Sequence, residues 1–175
     1  MESLKEELAK KDVVINKLET EVMAALDERE QYSRRNNVRI FRVGETDNED
    51  TYQLVIDVAA KLNVNLEYHH IDRSHRIGKV GDKPRPIIVK FVSYAERSAV
   101  FWNTRLLRGT NITTREDLTK VRLSLLKEAV SHFSTKAVWS SDGVVLVNAG
   151  KASHFRVKTE GELKKLLEKH PPGDI

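Results

Sequence analysis

Cysteine is absent from this chain of 175 residues, and aromatic residues make up only 6% of it. The absence of cysteine excludes disulfides and thiolate metal sites, and it favours an intracellular protein. No apolar run is as long as the segment of about 18 residues that a membrane-spanning helix needs. Met1 is followed by charged residues and not by the apolar segment of a signal peptide. We therefore expect a protein that is not exported and has no membrane among its partners.

The net charge of +4 conceals two regions of opposite sign. Residues 1–31 hold five Lys and Arg against nine Asp and Glu, whereas residues 32–175 hold twenty-five against seventeen. The sign changes within Gln31–Phe41, where an acidic segment meets a basic one. A basic domain most often binds nucleic acid or another anionic surface. We expect an anionic partner for the second region.

The acidic region has the apolar spacing of a coiled coil. Apolar residues recur at alternating steps of three and four, with Lys11 and Arg29 as interruptions. This heptad pattern predicts a coiled coil over residues 1–35. Val14 and Leu26 widen the apolar face, which suits three or four strands better than two; we expect a trimer, with a dimer or tetramer as alternatives. The expected oligomerisation residues are Leu4, Leu8, Ile15, Leu18, Val22 and Ala25.

A second interpretation of the same region is an amphipathic helix folded back on its own domain, because polar residues occupy its other faces. The heptads are already in phase at Met1. We therefore expect the chain to be a piece of a longer protein whose coiled coil begins further upstream.

Residues 36–115 are typical of a βαββαβ domain. Val38 and Ile40 alternate with Arg39 and Phe41 as in a half-buried strand, and a helix face from Leu54 to Leu62 ends at Asn63. Strands are predicted over 68–77, with His69 and His70 on opposite faces, over 87–91 and over 111–114. The second helix should begin at Ser93, bury Ala95, Ala99, Trp102 and Leu106, and end at Gly109. This order predicts a ferredoxin-like fold, the architecture of RNA-recognition motifs, within an α+β protein.

Residues 116–175 are predicted to form a small α+β C-terminal domain. A helix over 117–132 precedes a hairpin of Val138–Ser140 and Val144–Val147, with the turn at 141–143. A strand at Phe155 and Val157 leads to a last helix, which Thr159 and Glu162 start with a capping box. That helix should bury Leu163, Leu166 and Leu167 and stop at Pro171, Pro172 and Gly173.

The predicted sheet face favours phosphate contacts over base reading. The aromatic residues with which an RNA-recognition motif stacks bases are missing from the strand Ile87–Phe91, whose outward residues are Ile88 and Lys90. Arg39 points outward on the first strand. Further cations border this face: Arg34, Arg35, Arg73, Arg76 and Arg85. We predict sequence-tolerant binding dominated by backbone charge, with ordinary solvated surface charge as the alternative.

The C-terminal domain offers a second set of candidate contacts. Arg122 lies on a predicted helix with Lys120 and Lys127, and Trp139 lies just before the hairpin turn. An aromatic ring beside basic residues can stack a base, but core packing explains Trp139 equally well.

The sequence has little that indicates catalysis. His69, His70 and His75 are close in sequence, yet no carboxylate stands at a metal-ligand spacing, and the phosphate-binding loop of nucleotide hydrolases is missing. We predict no catalytic residue, no metal and no cofactor.

Four segments together carry a resemblance to a known family: EQYSRRNNVRIFRVGE, IDRSHRIGK, PRPIIVKFV and AVWSSDGVVLV. They resemble the first open-reading-frame protein of LINE-type (non-LTR) retrotransposons, and the similarity covers nearly the whole chain in the family's order. The resemblance implies that Asn37, Arg39, Arg85 and Lys90 contact RNA, that Arg122 matches a basic residue important for binding, and that Trp139 matches a family aromatic.

For function, the resemblance implies a homo-oligomer, a trimer in the vertebrate examples. Such a protein binds single-stranded RNA and DNA, packages the element's own RNA and acts as a nucleic-acid chaperone. It would reside in cytoplasmic ribonucleoprotein particles, with the nucleus left open as a second location. The competing hypothesis is a host adaptor that recruits a protein through the coiled coil and uses the folded domain as a scaffold.

Overall fold

A computed structural model describes residues 2–150 and 154–171. The fold is α+β, with a long N-terminal helix followed by two antiparallel sheets. The helices are α1 (Glu2–Ser33), α2 (Thr51–Lys61), α3 (Tyr94–Trp102), α4 (Lys120–Phe133) and α5 (Glu160–Lys169). The strands are β1 (Asn37–Phe41), β2 (Ile71–Arg76), β3 (Ile87–Phe91), β4 (Thr113–Glu116), β5 (Val138–Ser141), β6 (Val144–Val147) and β7 (Phe155–Val157).

The chain divides into two compact units. The central unit contains residues 34–118 and 140–143, and the flanking unit contains residues 1–33, 119–139 and 144–175. The long N-terminal helix and the C-terminal segment, which are far apart in sequence, therefore belong to one unit.

The central unit is built on a sheet with the strand order β2-β3-β1-β4, in which neighbouring strands are antiparallel. Alternate residues of β1 and β3 are fully buried, because α2 and α3 cover one face of the sheet. The predictions of these two strands and of their inward residues are confirmed. The buried set is Val38, Ile40, Ile87, Val89 and Phe91 from the strands, with Val55, Val58, Ala59 and Val100 from the helices.

Helix α2 has clear start and stop signals. Asp50 caps its first turn by accepting the backbone N–H groups of Tyr52 and Gln53, at 2.9 and 3.3 Å. Asn63 has a φ of 56°, a left-handed conformation that an α-helix cannot continue through. The predicted end of this helix is confirmed.

Side chains from the start of α2 cover the outer edge of β2. The Thr51 hydroxyl donates to the Ser74 carbonyl at 2.9 Å, and the Tyr52 hydroxyl donates to the Asp72 carbonyl at 3.3 Å. These carbonyls belong to an edge strand, where they would otherwise be open to pairing with another chain.

The predicted strand 68–77 is wrong at its start. Tyr68–His70 form a 3-10 turn, in which the Nδ1 atom of His70 accepts the backbone N–H of Glu67 at 2.9 Å. This local hydrogen bond holds the chain in a turn before β2 begins at Ile71. The placing of His69 and His70 on opposite strand faces is also wrong, since their ring centroids lie 4.0 Å apart.

The predicted buried stripe of α3 is wrong as well. The helix starts after Ser93 as predicted, but it ends at Trp102 and continues as a 3-10 turn over Thr104–Leu107. Its buried residues are Arg97 and Val100, whereas Trp102 is exposed. The cause is a buried ion pair, in which Arg97 lies 2.5 Å from Glu116 at the end of β4. Strand β4 itself begins at Thr113, two residues later than predicted.

The flanking unit has its own core, formed mainly by α4, β6, β7 and α5. The hairpin turn is confirmed, and Asp142 and Gly143 have φ values of 50 and 76°, as a tight hairpin turn requires. The capping box of Thr159 and Glu162 is also confirmed. Helix α5 ends at Lys169, and the stop signals predicted at Pro172 and Gly173 lie outside the described residues.

The last two turns of α1 dock on the start of α4 within the flanking unit. The Thr119 hydroxyl donates to Asp27 at 2.5 Å, and the Thr119 N–H donates to Gln31 at 2.9 Å. Asp27 and Gln31 are buried there. The apolar residues nearer the start of α1 are exposed, so the fold-back interpretation applies only to the end of this helix.

Candidate nucleic-acid interface

The face of the central sheet that α2 and α3 leave uncovered brings four cations together. Cross-strand pairing places Arg39 between Ile88 and Arg115, and it places Lys90 opposite both Asn37 and Arg73. Paired residues share a face, so these side chains lie on the side opposite to the buried core. The Arg115 guanidinium lies over the ring of Phe41, 5.3 Å from its centroid. Sequence reasoning missed Arg115, because the prediction ended β4 one residue too early to include it.

A buried carboxylate organises the basic residues at the start of β1. Asp117 accepts the Nε–H of Arg39 at 2.7 Å, the Nδ2–H of Asn37 at 2.9 Å and an Nη1–H of Arg34 at 3.2 Å. About a third of the Arg34 and Arg39 side chains remains exposed. Asp117 therefore fixes three of the predicted contact residues in one array, while Arg35 is exposed beside them.

On the other side of the face, Lys90 and Arg73 differ in their partners. Lys90 Nζ lies 3.3 Å from an Asp72 carboxylate oxygen, and half of the Asp72 side chain is exposed. Arg73 is exposed and has no ion pair with any described residue. A phosphate could reach Arg73 directly and would compete with Asp72 for Lys90.

Arg76 and Arg85 bind the loop that follows β1. Arg76 donates to both carboxylate oxygens of Glu49, at 2.6 and 2.9 Å, and its side chain is only 4% exposed. Arg85 donates from Nε to Glu45 at 2.7 Å. These hydrogen bonds lower the pKa of Glu49 and of Glu45 below their ordinary values.

The predicted nucleic-acid contact at Arg76 stays a prediction, but the Arg76 guanidinium has many partners within the chain. Its guanidinium also donates to the backbone carbonyls of Val43, Gly44 and Arg85. With its donors used and its side chain buried, Arg76 has a structural role in holding these loops. Arg85 is partly exposed and remains a candidate contact.

Arg122 is likewise a structural residue. Its side chain is 2% exposed and donates to Asp27 at 2.6 Å and to Glu28 at 2.7 Å. Burial opposes its charged form, but the hydrogen bonds that it donates to Asp27 and Glu28 outweigh burial and raise the pKa of Arg122. Arg122 and then Lys158 lower the pKa of Glu28. The predicted nucleic-acid contact at Arg122 stays a prediction, and in the structure its partners enclose the side chain.

Trp139 is half-buried in the flanking unit. Its ring meets His154 edge to face at a centroid distance of 4.6 Å. This position leaves both predicted roles, packing and stacking, open to the side chain.

The predicted oligomerisation residues form an exposed apolar stripe. Leu4, Leu8, Ile15, Leu18 and Val22 are each more than half exposed, and Ala25 is exposed beside them. The apolar stripe occupies positions a and d of the heptad repeat. The docked residues Asp27 and Gln31 occupy positions f and c, which lie on other faces of the helix. The contact with α4 therefore leaves the apolar stripe uncovered.

No protein-family model and no curated protein matches this chain. Among the described residues, no helix is long and apolar enough to cross a membrane. The same part of the chain contains no group of three or more His, Asp or Glu side chains placed to hold a metal ion.

Proposed function

We propose that this chain is a non-catalytic, oligomeric protein that binds single-stranded RNA and DNA and acts as a nucleic-acid chaperone. The central observation in support is the uncovered sheet face with Arg39, Arg73, Lys90 and Arg115 around Phe41 and Ile88. Cations on such a face hold phosphates, while Phe41 offers a single ring for stacking. The low aromatic content of the face favours sequence-tolerant binding.

The central unit is, on this proposal, an RNA-recognition-motif-like domain with a ferredoxin-like βαββαβ fold. The strand order β2-β3-β1-β4 and the placing of α2 and α3 on one face support this assignment. The resemblance to the first open-reading-frame protein of LINE-type retrotransposons extends the proposal. It would make the chain the packaging protein of a retrotransposon ribonucleoprotein particle, located in the cytoplasm.

The exposed stripe of α1 supports a homo-oligomer, and we propose a parallel trimeric coiled coil. Joining several weak basic faces raises the apparent affinity through effective concentration, without any new contact. Phosphate contacts that release one at a time would let strands exchange, as a chaperone requires.

A titration of fluorescent oligouridine against salt tests the binding function. Wild-type affinity should fall steeply with salt. In R39A/K90A the slope of log affinity against log salt should become less steep by roughly 0.7 for each lost phosphate contact. The control K10A/K61A removes the same charge from exposed positions on α1 and α2. Absence of RNA binding, or binding that salt does not weaken, would refute the proposal and favour a protein-recruiting adaptor.

A further inference from the structure

A second surface of the central unit combines an exposed aromatic ring with cations that have no carboxylate partner among the described residues. The sequence contains no Asp or Glu from residue 98 to residue 115, although Arg105, Arg108 and Arg115 lie in this segment. The segment covers most of α3, the 3-10 turn and most of β4. Its local charge is therefore positive without internal neutralisation.

Trp102 presents its ring to solvent in a fixed orientation. The side chain is 58% exposed, although a Trp of a folded domain is usually largely buried. Its indole N–H donates to the Ser98 hydroxyl at 3.0 Å, one helical turn away, and the Phe101 ring packs edge to face at 5.6 Å. Because the N–H group is already satisfied, the ring offers an apolar face suited to stacking.

Arg105 and Arg108 follow Trp102 at steps of three residues. Both side chains are exposed, and neither is ion-paired with a described residue. Arg105 lies in the 3-10 turn, and the backbone N–H of Arg108, which ends the turn, donates to the Arg105 carbonyl at 3.2 Å, so the two residues are close neighbours. The two guanidinium groups thus differ from Arg39 and Lys90, which are held by Asp117 and Asp72.

This surface adjoins the edge of the sheet at β4. The turn Thr104–Leu107 contacts β4, the edge strand that also carries Arg115. Arg115 pairs across the sheet with Arg39. Cations therefore extend from the centre of the face to the turn beyond its edge.

We propose that Trp102, Arg105 and Arg108 form a second contact for the same single-stranded nucleic acid, beyond the edge of the sheet. One base stacks on Trp102, and the neighbouring phosphates bind the two arginines. This inference rests on the proposed function and deepens it by giving the strand a path off the sheet. A nucleic acid fits better than an apolar protein partner, because the ring lies near two cations that have no ion pair with any described residue.

Trp102 itself can report the contact. The chain has two tryptophans, so W139F leaves Trp102 as the one indole fluorophore of the full chain. Oligouridine of about 20 nucleotides exceeds the roughly 4–16 that one small binding domain covers. Adding this RNA should quench Trp102 emission, with the same midpoint as the anisotropy titration. If the anisotropy titration shows binding but the Trp102 emission is not quenched, the inference is overturned.

Substitutions then separate stacking from charge. R105A/R108A should weaken binding on the order of tenfold and reduce the salt slope by roughly 1.4, whereas K10A/K61A removes equal charge with a smaller effect. W102A should weaken binding by a similar factor and W102F should restore most of it, because a phenyl ring still stacks. Circular dichroism melting curves would check that each variant is folded.

The outcomes distinguish this inference from the function on which it rests. The second contact alone would be overturned by the following result. R39A/K90A loses binding, while W102A and R105A/R108A bind RNA with the affinity of the K10A/K61A control. Failure of the wild-type protein to bind RNA would overturn both. Saturable quenching that R105A/R108A weakens would support both.

Discussion

Whether an arginine of this chain can meet a ligand is decided by the carboxylate beside it. Arg76 is held by Glu49, which lies 27 residues earlier, and Arg122 by Asp27, which lies 95 residues earlier. Arg73 and Arg105 have the same chemistry but no such partner among the described residues. Buried pairs of this kind leave an uncompensated charge when one member is removed.

Arg122 provides a direct test at the residue scale. We expect R122A to lower the free energy of unfolding by about 3–5 kcal/mol, because Asp27 would stay buried without its cation. Urea denaturation measures the change. The control K120A removes an exposed cation from the same helix and should cost less than about 0.5 kcal/mol. Unchanged stability of R122A together with weaker RNA binding would instead make Arg122 a nucleic-acid contact.

Residue patterns could predict which side chains enter the central core, but not the ionic partners. Val38, Ile40, Val89 and their neighbours follow a strict alternation that any one-sided sheet imposes. Nothing in the sequence links Asp117 with Arg34 and Arg39, because side chains about eighty residues apart meet only after the chain folds. For this reason the sequence could indicate the basic candidate residues. It could not indicate that the side chains of Arg76 and Arg122 are enclosed by carboxylate partners.

At the scale of elements, side chains at the start of α2 donate hydrogen bonds to backbone carbonyls of the edge strand β2. The Thr51 hydroxyl is a donor to the Ser74 carbonyl, whereas the buried Thr114 hydroxyl on β4 has no partner among the described residues. We expect T51V to lower the free energy of unfolding by about 1 kcal/mol, since a carbonyl loses its donor.

The same substitution at Thr114 is the matched control. T114V should leave stability unchanged or raise it, because a buried hydroxyl without a partner is replaced by a methyl group. Urea denaturation of both variants gives the comparison. Equal losses in T51V and T114V would show that the edge hydrogen bond contributes nothing of its own.

Element boundaries were predictable where local signals dominate. Asn63 ends α2 and Thr159 starts α5 through their own backbone and side-chain hydrogen bonds. Helix α3 differs, because the buried Arg97 turns a polar residue inward and leaves Trp102 outside. A hydrophobic pattern cannot reveal a helix whose inward face is partly ionic, and the exposed ring was therefore assigned to the core.

At the scale of the whole molecule, the apolar stripe of α1 should determine assembly. Light scattering of the wild-type protein should give three times the chain mass of 20.0 kDa. I15D/L18D should give a single chain mass, because two carboxylates would enter the apolar seam. K10D, on a polar face, should remain assembled. A wild-type protein of single chain mass would refute the oligomer.

On the function proposed above, the covered edge of β2 has a consequence for how densely copies of this protein can coat RNA. Copies crowded along one strand would meet at effective concentrations in the millimolar range, at which open strand edges tend to join into cross-β fibrils. Thr51 and Tyr52 occupy that edge from within the same domain. On the same proposal, a coat built from such domains stays soluble, and its copies can be removed from the nucleic acid one at a time instead of joining into an aggregate.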